Sequence, residues 1–424
     1  MISIRKLSWM LVTVFLVTAW SSGQTEQKNP EGKAEGEEKK AAPVLEGVKP
    51  AQWRLLWTAD PATEVIASWS TKEKGTVHRV RFDTKSCGGK VSNYRKTVVC
   101  EKNGKFEGKK VELYYHHARL VGLTPSTTYY LTMESDGFAT REFHFVTGPV
   151  DDRPFSILWG GDSRTDWKAR AQVNQHIRKL AAADPSIIAF AHGGDYVMTG
   201  DLSGLWSRWM SDHEKTVTED GRMLPVIPAR GNHEAKGNQF DHVFNWPGGG
   251  LGKNYFAFKL GSEVFLITLN SETAAGGNQV KFLKKALVAQ GKTRWLLAQY
   301  HRPIWPAFKA PGRAKPHWLP LFEKHNLDVV LEADGHTLKR TVPIRHEMAD
   351  PTGVVYLGEG GLGVPPRKPK MDRWFIQSPG MAGSTNHVWK LSFSKEALKA
   401  EAILLDGKIA DSYLAKPRER EKKK

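Results

Sequence analysis

The chain of 424 residues is longer than one ordinary domain. Its hydrophobic share of 40%, with 15 Trp and 18 Phe, supplies substantial cores and excludes wholesale disorder. With 62 Lys and Arg against 45 Asp and Glu, the formal charge of +17 favours anionic ligands and surfaces.

Arg5 and Lys6 precede an apolar stretch over 7–20, followed by Ser21, Ser22 and Gly23. This is the pattern of an export signal over residues 1–23, so the chain is expected to be exported, periplasmic or extracellular. The stretch falls short of the roughly 20 apolar residues of a membrane span, and no stable span is expected. No Cys follows it, so a lipoprotein anchor has no support. Residues 24–49, rich in Glu, Lys and Gly, read as a disordered linker. The two cysteines, Cys87 and Cys100, are compatible with a hairpin disulfide in an exported protein or with two free thiols.

From Trp53 onward the pattern becomes short alternating strands. Val65, Ala67 and Trp69 fall on one face of a first strand, and residues 117–123 read as a second. Residues 143–147 close the segment, and Gly148-Pro149 begins a linker, so 50–148 reads as an all-β sandwich. Leu123, Pro125 and Tyr129 have the spacing of a tyrosine corner, and with the core Trp69 the segment resembles a fibronectin type III domain.

Beyond Phe155 strands and helices alternate. Strands are expected over 155–160, 186–191, 224–229, 263–269, 294–299 and 328–331, with helices around 169–180, 202–210 and 279–289. Further strands over 354–357, 387–393 and 400–405 finish the pattern, which predicts a two-sheet α/β sandwich over 152–408. Residues 409–424 read as a basic, solvated tail without a nucleic-acid role.

The chemistry sits just after the apolar runs. In order come Gly161-Asp162-Ser163-Arg164, Gly194-Asp195-Tyr196, Gly231-Asn232-His233-Glu234, Tyr300-His301-Arg302-Pro303 and Gly335-His336-Thr337. A parallel sheet gathers such residues at the carboxyl ends of its strands. Oxygen and nitrogen donors without thiolate suit a hard or borderline metal. Alone, a strand-end Asp is more often a helix cap than a ligand.

Five such motifs in this order resemble the calcineurin-like metallophosphoesterases, and the added fibronectin-like segment resembles their purple acid phosphatase branch. The resemblance runs from about Trp53 to Leu405, with Gly231-Asn232-His233-Glu234 its most specific element. It implies that Asp162 binds a first metal, that Asp195 bridges two, and that Asn232, His301 and His336 complete the second site. The metals implied are divalent or trivalent, Fe, Mn or Zn. His233 is implied as an acid towards the leaving alkoxide, and Arg164 is expected to contact phosphate. The activity implied is hydrolysis of phosphomonoesters by metal-activated hydroxide. Phosphodiester hydrolysis, or non-catalytic binding of phosphate or a phosphorylated polymer at a degenerate metal site, are the alternatives.

Two departures stand out. The family's Tyr ligand, three residues after the bridging Asp, is Met198, and the second His of its last motif is Leu338. The expectation is one strongly held metal and a weaker first one, unless His192, Glu332, Asp334 or Glu359 substitutes. Trp305, Arg313 and Trp374 are candidates for substrate contact or for packing, and the Gly-rich run at 359–363 reads as a loop at the site rim.

Overall fold

The computed structural model describes residues 45–107, 111–246 and 253–418. The expected export signal, most of the linker, Gly248, Gly249, Gly250 and the last lysines lie outside the described residues.

The first strands are β1 (Ala51–Leu56), β2 (Val65–Thr71), β3 (His78–Asp83), β4 (Lys96–Val99), β5 (Lys102–Lys105), β6 (Tyr114–Leu120), β7 (Thr128–Ser135), β8 (Phe138–Ala139) and β9 (Phe143–Val146). Strands β3, β4, β7, β8 and β9 form one antiparallel sheet, and β1, β2, β5 and β6 belong to a second. Trp69 is fully buried between them, its Nε1 donating to Ser135 Oγ at 2.9 Å. The tyrosine corner is present: the Thr124 N–H donates to Tyr129 Oη at 2.9 Å. Strand β2 is buried on both faces rather than one. Its second face meets a helix, where Ser70 Oγ lies 3.8 Å from Met210 Sδ.

The strands that follow are β10 (Phe155–Gly160), β11 (Ile187–His192), β12 (Val226–Pro228), β13 (Phe256–Leu260), β14 (Val264–Thr268), β15 (Trp295–Tyr300), β16 (Val329–Glu332) and β17 (Leu338–Arg340). Then come β18 (Ile344–Arg345), β19 (Met348–Ala349), β20 (Val355–Gly358), β21 (Met381–Gly383), β22 (His387–Phe393), β23 (Leu398–Leu404) and β24 (Ile409–Ala415). Ten strands form one continuous sheet in the order β24-β23-β22-β10-β11-β12-β1-β2-β6-β5. Seven more form β13-β14-β15-β16-β20-β17-β21. A single hydrophobic cluster contains Trp159, Ile227 and Trp389 from the first sheet and Leu266, Leu297 and Leu357 from the second. The α/β sandwich expected from the sequence is therefore present, preceded by an all-β segment.

Two differences have simple causes. Residues 409–415, expected in the tail, form the edge strand β24, because alternation brings Tyr413 and Ala415 against the core while Leu414 stays exposed. A helix over Lys315–Lys324 had no expectation, since Pro316 and the interior Pro320 interrupt its pattern. Cys87 and Cys100 are both free, and burial pushes the Cys100 thiol up.

Parallel pairing of β10 with β11 and β11 with β12 aligns Gly160 with His192 and His192 with Pro228. In the other sheet, β15 and β16 are also parallel, with Tyr300 beside Glu332. The five motifs thus leave two sheets at neighbouring carboxyl ends.

Candidate metal centre

Strands β10, β11 and β12 deliver Asp162, Asp195 and Asn232, while β15 and β16 deliver His301, Asp334 and His336. One ligand atom from each of Asp162, Asp195, His301 and Asp334 lies within 4.8 Å of the others, and all four residues are buried. Asn232 joins through His301, whose Nε2 is 3.0 Å from its Oδ1. His336 lies on the Asp162 side, Nε2 to Oδ1 at 3.3 Å, and is not part of the four-residue group.

The backbone of these turns is bent where side chains rarely go. Asp162, Asp195, Asp334 and His336 have φ of +59°, +60°, +66° and +59°. Aspartate and histidine tolerate that region better than most residues, yet each such position costs of order 1 kcal/mol or more. The glycine run forms the floor rather than the rim. A side chain at Gly360, where φ is +96°, would meet Asp162 Oδ2 at 2.5 Å. The run is also anchored, with Leu362 N–H on Gly161 O and Val364 N–H on Asp162 O.

The donor set fits a cation on three counts. Asp162 Oδ1, Asp195 Oδ2 and His336 Nε2 are shut from solvent and make no hydrogen bond. Buried polar atoms are otherwise almost always paired. His301 Nδ1 donates to Gly193 O at 2.9 Å, which leaves Nε2 facing Asp195 Oδ1 at 3.2 Å and Asp334 Oδ1 at 3.5 Å. A metal-ligating imidazole is usually fixed in this way. Electrostatics agree: burial acts against a charged His301, yet the Asp195, Asp334 and Asp162 carboxylates raise it well above its ordinary value. The cluster attracts positive charge.

Asp334 is the one of the four substitute candidates that enters the group. Glu332 and Glu359 are held by Lys339, whose Nζ lies 2.5 Å from Glu332 Oε2 and 2.8 Å from Glu359 Oε1. His192 is bonded to Ser163 Oγ at 3.0 Å and stacked on Tyr196. Leu338, in place of the family's second histidine, turns into the hydrophobic core. Asp334 also carries Lys309, Nζ to Oδ1 at 2.5 Å.

His233 stands at the edge of the centre and is partly exposed. Its Nδ1 donates to Met198 O at 2.6 Å, and its Nε2 lies 3.7 Å from Asp195 Oδ2. The residue in the family's Tyr position thus orients the histidine through its carbonyl. Arg164 is buried over Asp195, Nε to Oδ2 at 3.4 Å, with Nη1 on Thr165 Oγ1 at 3.2 Å. Glu234, quoted in its motif without a role, is the clamp between two loops. Its carboxylate accepts from the N–H groups of Gly231, Asp195, Tyr196 and Val197 at 2.8–3.2 Å. Burial first and the Asp195 charge second push it up to about 8, against those N–H groups. Trp305 is buried in packing, edge-on to Trp374 and Phe375.

Residues 50–147 match the purple acid phosphatase N-terminal domain, and residues 157–339 match the calcineurin-like phosphoesterase family. An uncharacterized protein of Mycobacterium tuberculosis is 24% identical over 344 residues, 70% of this chain and 63% of the relative. Purple acid phosphatase 15 of Arabidopsis thaliana is 26% identical over 287 residues, 58% of this chain and 53% of the relative. The matches thus span less than two thirds of these relatives' length. Purple acid phosphatase PPD1 from yellow lupin (Lupinus luteus) seeds shares the fold, with a TM-score of 0.74 at 17% identity over 87% of this chain and 74% of the lupin chain. All five motifs, from Asp162 to His336, fall inside the second family match, so residues 157–339 form a calcineurin-like phosphoesterase domain, preceded over residues 50–147 by a purple acid phosphatase N-terminal domain.

Proposed function

We propose that this chain is an exported phosphatase that hydrolyses phosphomonoesters at a centre held by Asp162, Asp195, Asn232, His301 and His336, with Asp334 as a further ligand. The observation that carries this reading is the convergence of Asp162, Asp195, His301 and Asp334 within 4.8 Å, with buried ligand atoms that make no hydrogen bond. A divalent cation bound there supplies Lewis acidity for the phosphoryl oxygens and for water. The chain's own residues do the rest. His233 exchanges protons only at Nε2, because Nδ1 is committed to Met198 O, and from there it protonates the departing alkoxide oxygen. Arg164 holds Asp195 in place and presents its remaining guanidinium N–H groups to a phosphoryl oxygen. The Lys309–Asp334 pair favours unequal affinity for two cations, since one ligand already has a competing positive charge.

The test is metal analysis of purified protein, paired with turnover of p-nitrophenyl phosphate and bis(p-nitrophenyl) phosphate under Mn²⁺, Fe and Zn²⁺. The monoester is expected to be the better substrate, and His233→Ala should lower kcat by about 10²–10⁴ with the metal retained. A wild type that holds metal and turns over neither ester overturns the enzyme reading in favour of phosphate binding. Export rests on residues 1–23 and is checked by sequencing the N-terminus of the mature protein; a chain still starting at Met1 overturns it.

A further inference from the structure

Beside the centre a cleft of about 1190 Å³ opens, lined by Glu272, Arg302, Lys309, Arg313, His317 and Asp334 among others. Asp334 belongs to both the cleft and the metal group, so the two are continuous. The cleft is larger than a phosphoryl group needs and slightly exceeds the roughly 300–1,000 Å³ typical of sites that enclose a small organic molecule, so it has room for one.

Its charges are unevenly committed. Arg302 is tied to Glu272, Nε to the two carboxylate oxygens at 2.9 and 3.1 Å. Lys309 is tied to Asp334. Arg313 is exposed and has no ion pair among the described residues. The loop that carries it is fastened at its base: the Arg373 guanidinium donates to the carbonyls of Pro306, Phe308 and Lys309, and Gly312 N–H donates to Pro303 O at 2.7 Å. A second wall opens at the first turn of the helix Gly277–Ala289, which contains no acidic residue. An open cleft that leads away from a phosphoryl-binding centre, with one uncommitted guanidinium on a fixed loop, is arranged for an anion at the far end of the ligand.

We propose that this cleft is the leaving-group subsite of the enzyme and that Arg313 reads a second anionic group, phosphate or carboxylate, on a small organic phosphate ester. The proposal rests on the phosphoesterase reading of the centre. Arg313 contacts the leaving group and takes no part in the bond cleavage, so it sets specificity rather than rate on simple esters.

Calorimetry of the metal-loaded protein with butylphosphonate and with butane-1,4-bisphosphonate tests it without turnover. The bisphosphonate should bind about tenfold more tightly, a difference in keeping with one charge-assisted contact. Arg313→Ala should abolish that difference and leave butylphosphonate affinity unchanged. Arg313→Lys should restore part of it, and raised salt should narrow it in the wild type. Equal affinity for the two ligands, binding of neither, or a preference that survives Arg313→Ala overturns the proposal. Turnover of phenyl phosphate by the wild type is followed in parallel. Failure of that turnover in the wild type counts against the phosphoesterase reading, while the calorimetry still decides the subsite.

Discussion

Asp334 holds the position that most changes the chemistry of the centre. It sits between His301 Nε2 and Lys309 Nζ, its own N–H donating to Asp162 Oδ2 at 2.8 Å. The carboxyl is lowered because His301 and Lys309 outweigh its burial. Replacement by Asn keeps the shape and removes the charge, so Asp334→Asn should weaken Mn²⁺ affinity by at least about tenfold in equilibrium dialysis. An unchanged affinity would place Asp334 outside the ligand set. Its role was not separable in the sequence from that of His192, Glu332 or Glu359. Each follows an apolar run, and what sorts them is where sheet pairing points the side chain. The convergence of Asp162, Asp195 and His301, with Asn232 and His336 beside them, was legible because the motif order carried it. Lys309 had no local signature, since its loop returns to the centre only in three dimensions.

Strand β17 shows how a short element can redirect a motif. Alternation sends Leu338 to the core and Lys339 to the opposite side, where it meets Glu332 and Glu359. Lys339 also donates to Trp305 O at 2.8 Å, and Glu359 accepts from the Ala307 N–H at 2.7 Å. This buried triad joins β16, β17 and the loop after β20 to the loop that carries Lys309. Removing the ammonium leaves two buried carboxyls without a counter-charge. Lys339→Met should therefore cost about 3–5 kcal/mol in urea unfolding. Burial pushes the Glu359 carboxyl up to about 7 even with Lys339 beside it, so protonation of Glu359 softens that loss below neutral pH. The parallel strands were legible in the sequence because burial on both faces leaves continuous apolar runs. The helix Lys315–Lys324 and strand β24 were not, since prolines mask the one and an exposed edge face masks the other.

At the scale of the whole molecule, the N-terminal strands are seated on the α/β layer through buried polar contacts. Gln52, with φ of +59°, places its Nε2 on Ser207 O and Ser207 Oγ at 2.9 and 2.8 Å. Arg54 is fully buried with Nε on Val243 O at 2.9 Å, and burial lowers its guanidinium to about 9. Glu214 accepts the Gln52 N–H across the same joint. Burial raises Glu214 to about 7, partly offset by the N–H groups of Gln52 and Trp53. A carboxyl raised in the folded state holds its proton longer than in the unfolded chain. Its contribution is complete below the unfolded value of about 4.5 and is lost as pH rises through about 7. Glu214→Gln should flatten that decline and raise Tm at pH 8 by about 2–4 °C, with no gain at pH 4.

The pairing of β1 with β12, Leu56 beside Val226, also bears on how the protein tolerates being cut. Strand β12 lies between β11 and β1, and its three residues are all buried. Without the N-terminal strands, Val226 and Ile227 would become the open border of a sheet, with unpaired amides offered to any neighbouring chain. Such a border is a template for self-association. Proteolytic loss of the first strands would therefore expose a self-associating edge, on the same strand from which Asn232 and the centre hang.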